Sequence, residues 1–385
     1  MKISRKIKNN QKLKAFAALI IGVFIALLIS EIILQIFDFP GKPVSGWTNC
    51  KSNNPGQCNY LGFRGREITY SPDDFVVILV GDSEVYASSL PFEQIPERRL
   101  EHFLQNFKDN VKVFTIADMG YGQDQQYLAL KKYFEKHRAD LVLLMFTARN
   151  DIENNIFPTS GRNNTIKPNF WLENGELRGP TEGWLDPVGP RMKLALLWKS
   201  YVGKTIGESR IEMWKKDILP PPYQPLRHSQ GEVDYSWQER WGNDPQIANG
   251  IKSERQRVGI GNYPTPRSER RTYGINLTRK LFSKIKGLTE ENNGHFIIFK
   301  EERPWELQDA GREKVYFLNG KYYKTSIRQY QDDLRYLFHG FEHYRIPLNI
   351  ENYTVKSGDS HLNQQAIDKL FKELSQIISK KNYFR

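Results

Sequence analysis

Cysteine and histidine are scarce in this chain: 385 residues hold two of the first and seven of the second. Two cysteines with no histidine near them cannot close a zinc site, so no metal and no cofactor are expected. There is only one long apolar run, which excludes a multispanning membrane protein, and no internal repeat is visible. Nowhere is a Lys/Arg-rich run interleaved with aromatics. Of the formal charge of +12, the excess beyond the N-terminal stretch is diffuse, so nucleic acid is a poor partner, while a nearby anionic membrane or wall polymer is compatible with it. At 39% hydrophobic and 26% charged residues, the chain is neither disordered nor collagen-like and has the content of one large decorated globular domain.

The first 14 residues lack any acid but carry Lys2, Arg5, Lys6, Lys8, Lys12 and Lys14. The single apolar run follows, from Ala15 to Phe37, interrupted only by Ser30, Glu31 and Gln35. At about 1.5 Å per residue it spans a hydrocarbon layer of roughly 30 Å. No A-x-A cleavage pattern comes after it, so it reads as an uncleaved anchor rather than a signal peptide. Glu31, near its far end, either snorkels to the interface or meets a partner helix. The basic flank keeps the N-terminus cytoplasmic, which makes the protein a single-pass membrane protein with everything beyond Asp38 periplasmic or extracellular. Cys50 and Cys58 then lie in an oxidising compartment, where a disulfide between them is expected. The expected divisions are a cytoplasmic tail over 1–14, a transmembrane helix over 15–37, a juxtamembrane segment over 38–74 and a catalytic domain over 75–385.

Phe75 to Val80 (FVVILV) is a continuous β-branched run that suits a strand buried on both faces. Val111 to Ile116, Leu141 to Phe146 and His295 to Phe299 repeat it, with Ile346 to Ile350 a weaker fifth. Between and after them, apolar residues recur at helical spacing over Gln123 to Lys136, Thr272 to Asn292, Ser326 to His339 and Asn363 to Lys380. Alternating strands and helices predict an α/β fold, a parallel sheet with helices on both faces and a ligand site beyond the carboxyl ends of the strands. One segment, 152–267, breaks the alternation. It is rich in Pro, Gly and Asn, holds six of the eight tryptophans, and reads as an insertion. Its tryptophans form either a carbohydrate-stacking surface or a small satellite core.

Four strand ends carry residues able to do acyl chemistry. The first run ends in Gly81-Asp82-Ser83-Glu84, putting a serine hydroxyl at the ligand edge, with Asp82 structural and Glu84 solvated. The second leads to Asp118-Met119-Gly120-Tyr121-Gly122, the third to Ala148-Arg149-Asn150-Asp151, and the fifth to Asp359-Ser360-His361-Leu362-Asn363. Together they offer a nucleophile, two oxyanion donors and an acid with a histidine. The H-x-x-E-H spacing of His339 and His343 matches inverted zinc peptidases, but Gly340 lies inside it and Pro347 follows closely, so it reads as a helix end.

Gly-Asp-Ser, then Gly, then Asn-Asp, then Asp-x-His-Leu-Asn resembles the SGNH (GDSL-type) hydrolases, and Leu61-Gly62-Phe63-Arg64-Gly65 is similar to a segment before the serine in many bacterial members. The resemblance covers about half the chain. It implies a flavodoxin-like three-layer α/β/α sandwich with Ser83 as nucleophile, His361 as general base and Asp359 as its orienting acid. The implied oxyanion hole is Ser83 N–H, Gly120 N–H and the Asn150 side chain. Two positions depart from the pattern. Gly358 stands where many members have the acid, so Asp359 relies on the shorter spacing of some membrane-anchored and polysaccharide-modifying relatives, and Ala366 replaces a glycine. The expected activity is that of a serine esterase acting on a small ester or an acylated polysaccharide of the envelope. An O-acyltransferase using the same acyl-serine, and a catalytically inactive glycan-binding protein, are the alternatives.

Overall fold

The computed structural model describes residues 2–37, 50, 57–148, 150–157, 167–180, 193–194, 197, 269–304, 306–307, 313–318, 321–356, 359–381 and 383–384. Arg149, Gly358 and most of the expected insertion, with Trp184, Trp198, Trp214, Trp237 and Trp241, lie outside them. The chain divides into two units, 1–47 with 186–206, and 48–185 with 207–385.

In the first unit, helix α1 runs over Lys2–Ile36, and its Lys14–Ile36 stretch is long and apolar enough to cross a membrane, as a signal sequence also is. The polar side chains that interrupt this stretch, Ser30, Glu31 and Gln35, are hydrogen-bonded. Ser30 Oγ donates to Ala26 O at 2.8 Å. Glu31 accepts from Gln35 Nε2 at 2.7 Å and from the backbone N–H groups of Lys193 and Leu194 at 2.7 and 2.8 Å, so a second chain segment meets this carboxylate.

The second unit is built on five parallel strands, β1 (Phe75–Gly81), β2 (Val111–Ala117), β3 (Leu141–Met145), β6 (His295–Glu302) and β9 (His343–Pro347), in the order β2-β1-β3-β6-β9. Taken strand by strand this is 2-1-3-4-5, the flavodoxin-like arrangement. β1 lies between β2 and β3, in register Val77↔Val113 and Val77↔Leu141, so all seven of its residues are buried. Alternation along a strand explains the unbroken apolar runs. Phe75, Val77 and Leu79 join Leu100, Leu104, Leu370 and Leu374 in the core on one face. Val76, Ile78 and Val80, also fully buried, point to the opposite layer, where Phe146 meets Phe282 at 5.5 Å.

The short helix α2 (Ser83–Tyr86) and α3 (Pro96–Leu104) connect β1 to β2, and α4 (Gln123–Phe134) connects β2 to β3. After β3 come α5 (Asp151–Ile156), the hairpin β4–β5 (Trp171–Glu173, Glu176–Arg178) and α6 (Glu269–Glu291). A second hairpin, β7–β8 (Glu313–Leu318, Lys321–Ser326), and α7 (Ile327–Phe338) separate β6 from β9. The chain ends with β10 (Thr354–Lys356), β11 (Asp359–Leu362) and α8 (Gln364–Lys380). The fifth strand, expected at Ile346 to Ile350, instead starts at His343. At one edge of the sheet, it pairs among the described strands with β6 alone, Ile298↔His343 to Glu302↔Pro347, and its exposed and half-buried positions carry the polar residues that hide it in the sequence.

Helix α3 carries a pH-sensitive feature. Glu97, in its first turn, is fully buried, its Oε1 accepts from Arg66 N at 2.9 Å, and burial pushes its carboxyl up to about 7. A Cβ added at Gly65, whose φ is +157°, would land 2.2 Å from Glu97 Oε2. A carboxyl raised on folding favours the native state below its unfolded pKa, and that contribution is lost as pH rises through the folded value. From the ordinary 4.5 to about 7, this amounts to about 3 kcal/mol. The Tm should therefore fall between pH 5 and pH 8, and Glu97→Gln should flatten that fall; identical slopes in both proteins would refute the assignment.

Candidate active site

Ser83 follows β1 directly and opens α2, where Tyr86 N and Ala87 N donate to Asp82 O and Ser83 O at 2.9 Å each. The first N–H groups of a helix have no acceptor within it, and Ser83 N–H is one of them. Asp82 caps this turn and ties it to the next strand end. One oxygen accepts from Glu84 N and Thr147 Oγ1, both at 3.0 Å, and the other from Asn150 Nδ2 at 2.8 Å. The Asn150 amide has two hydrogens, and the one given to Asp82 fixes its orientation. Behind it, Asp151 accepts from Thr147 N and Gln123 Nε2 at 2.9 and 2.8 Å. Burial, with the Asp82 charge adding to it, holds the Asp151 carboxyl well above the usual range.

Gly120 has φ +74°, a conformation that favours glycine, and it lies between Asp118, which accepts from Met119 N at 2.6 Å, and the buried Tyr121. The segment Leu61 to Gly65 supports both turns. Phe63 packs edge-on to Tyr121 at 6.1 Å, and Arg64 donates to the carbonyls of Tyr86, at 2.9 Å, Ala87, and Leu90, at 2.8 Å, just where α2 ends. That is a physical role for the glycine-bracketed arginine noted in the sequence: it satisfies the orphan carbonyls of the helix that presents Ser83.

His361 and Asp359 lie on β11. One Asp359 oxygen meets His361 Nδ1 at 2.6 Å and the His361 backbone N–H at 3.1 Å. Those hydrogen bonds, the backbone one first, hold the Asp359 carboxyl below its ordinary range. Leu362 is buried, and Asn363 caps α8 by accepting from Ala366 N at 3.0 Å, so the two residues after His361 are a core anchor and a helix cap in succession.

Glu84 corrects the expectation of a solvated side chain. It is 2% exposed, accepts from Leu362 N at 2.9 Å and from Arg303 Nη2 at 2.7 Å. The residue after Ser83 is thereby bonded to the residue after His361. Among the described residues no hydrogen bond joins Ser83 Oγ to His361 itself. Cys50 and Cys58 form a disulfide with a Cα separation of 5.9 Å. His339 lies beyond α7, and His343 opens β9 and stacks on Phe338 at 5.0 Å, so the two histidines share no helix face.

Arg303, at the end of β6, escaped the sequence reading. The signal for it was the charged run Lys300-Glu301-Glu302-Arg303 closing a buried strand at the ligand edge. Lys300, Glu301 and Arg303 border a cavity of about 180 Å³ that is also lined by Ala148, Tyr353, Thr354 and Ser360.

No family model and no curated protein matches the sequence. Two solved structures are similar at low identity. An acetyl xylan esterase from the rumen bacterium Butyrivibrio proteoclasticus is 8% identical with a TM-score of 0.34, over 83% of this chain and 66% of that one. A psychrotrophic esterase from Pseudoalteromonas sp., inhibited by monoethylphosphonate, is 12% identical with a TM-score of 0.27, over 80% and 98%.

Proposed function

We propose that the chain is a membrane-anchored serine esterase of the SGNH type, acting on O-acyl esters in the envelope or outside the cell. The observation that carries this reading is the Asp359–His361 pair, 2.6 Å apart, on a strand bonded through Leu362 to Glu84, the residue after Ser83. In this mechanism Ser83 Oγ attacks the ester carbonyl while His361 Nε2 takes its proton, and Asp359 holds Nδ1–H. The tetrahedral oxyanion is met by Ser83 N–H, Gly120 N–H and Asn150 Nδ2, each donor worth about 3 kcal/mol in the transition state. Collapse breaks the ester C–O bond, the alcohol leaves with the proton from His361, and water then releases the acid from acyl-Ser83.

Transfer of the acyl group to a sugar hydroxyl is the second reading. It shares every step up to acyl-Ser83 and differs in that a sugar hydroxyl takes the place of water. The six basic residues before the apolar run support a cytoplasmic N-terminus and an exported domain.

A fluorophosphonate probe applied to the full-length protein should label Ser83, and the same protein should hydrolyse an aryl acetate; neither should occur in Ser83→Ala. Absence of both in the wild type would refute the reading. Acetylated and acceptor glycans supplied together separate transfer from hydrolysis by their products. Asn150→Ala should lower kcat by roughly 10²–10³-fold with KM nearly unchanged, as for a donor engaged mainly in the transition state. An equal rise in KM with kcat intact would assign Asn150 to ground-state binding instead.

A further inference from the structure

β11, which carries His361 and Asp359, is not part of the five-stranded sheet that carries Ser83. Among the described residues it pairs with β10 alone, in a separate two-stranded ribbon, through Thr354↔Leu362 and Lys356↔Asp359, with an irregular register between them. The distance between nucleophile and base is therefore not set by sheet hydrogen bonds. What spans the gap is a buried ion pair. Arg303 Nη1 donates to Ser360 O at 2.8 Å, its Nη2 to Glu84 Oε1 at 2.7 Å and its Nε to Glu301 Oε1 at 3.0 Å, while Glu84 Oε2 accepts from Leu362 N at 2.9 Å. Ser360 C=O and Leu362 N–H, on either side of His361, point to the same edge of the strand. The side-chain pair thus gives and receives there as a neighbouring strand would, anchoring that edge to β6 and to the Ser83 turn together.

We propose that Glu84 and Arg303 are positioning residues that act as a side-chain substitute for a strand, setting His361 against Ser83; the catalytic consequence rests on the serine-esterase reading above. All three fork positions of the guanidinium are used, so lysine cannot replace it. Both partners are buried: Arg303 is 6% exposed and pairs with two buried carboxylates, Glu84 and Glu301, so removing it would leave both without their cation. Burial works against the charged form of Arg303, but the Glu301 and Glu84 carboxylates more than offset it and raise its pKa.

Two measurements on the full-length protein test this, amide hydrogen exchange over 359–362 and steady-state kinetics with an aryl acetate, both well below the Tm. Glu84→Ala should speed exchange at Leu362 by about tenfold or more and lower kcat by on the order of 10²-fold, with KM within about twofold, because a displacement near 1 Å costs about that much. Glu84→Gln keeps one oxygen for the Leu362 N–H. It should retain most of the exchange protection and a kcat within about tenfold of wild type, which also guards against a Glu84→Ala protein that does not fold. Arg303→Lys should fall between them. Unchanged exchange in folded Glu84→Ala would overturn the clamp. Faster exchange with full kcat would overturn its positioning role, since a merely structural pair lowers Tm alone. A wild type with inert Ser83 but clamp-dependent exchange would overturn the esterase reading and leave the anchoring of β11 standing.

Discussion

Ser83→Ala, His361→Ala and the double variant should each lower kcat for an aryl acetate by the same factor, on the order of 10⁴ or more. Equality is the informative part. A serine hydroxyl is a weak nucleophile until its proton has somewhere to go, and an imidazole with no hydroxyl to activate does nothing for the acyl transfer. Removing either leaves the oxyanion donors and the bound substrate, so the second removal has little left to lose. Neither change threatens the fold. His361 is about a third exposed and Ser83 sits at the rim of the sheet, whereas the turn around them is held by Asp82, Arg64 and Glu84. Losses that add on a logarithmic scale, or turnover unchanged in Ser83→Ala, would mean that these residues share a sheet edge without sharing a reaction.

What was legible in the sequence follows from where burial is symmetrical. β1, β2, β3 and β6 are covered on both faces, so their runs are unbroken and their ends mark the ligand edge; Ser83, Gly120 and Asn150 follow the first three directly. β9, with His343 exposed and Tyr344 and Arg345 half-buried, mixes these with its apolar residues, and Arg345 is paired to Glu302. Its signal was accordingly weak and misplaced by three residues. Helix α3 escaped because it is short, begins with Pro96 and buries two glutamates, Glu97 and Glu101, at positions a hydropathy pattern counts as solvent. Glu84 escaped for a different reason. An acidic residue beside a catalytic serine reads as exposed unless its counter-ion is known, and that counter-ion, Arg303, is 219 residues away in the chain. Long-range ion pairs leave no periodic trace, so the groups that aim the site were less visible than the groups proposed to react.

Asp359 is where the sequence reading ran closest to its limit, and its replacement carries the other large expected effect. Many relatives by resemblance place the acid three residues before the histidine, where this chain has Gly358 with no side chain to offer. The nearer carboxylate fills the part: the same Oδ1 meets the His361 ring at 2.6 Å and the His361 N–H at 3.1 Å, so backbone and ring are fixed by one atom. Asp359→Ala removes both contacts and should lower kcat/KM by roughly 10³-fold or more. Asp359→Asn is the sharper probe. Its amide oxygen can still accept the backbone N–H, which keeps the turn. The ring, however, loses the charge that stabilises the imidazolium formed when Ser83 gives up its proton, and is free to adopt the wrong tautomer. A loss comparable to that of the alanine variant, with an unchanged Tm, therefore assigns Asp359 to proton transfer rather than to the turn. Activity within about threefold of wild type in both variants would show that another group orients His361, and that the short Asp-x-His spacing is a feature of the β11 turn alone.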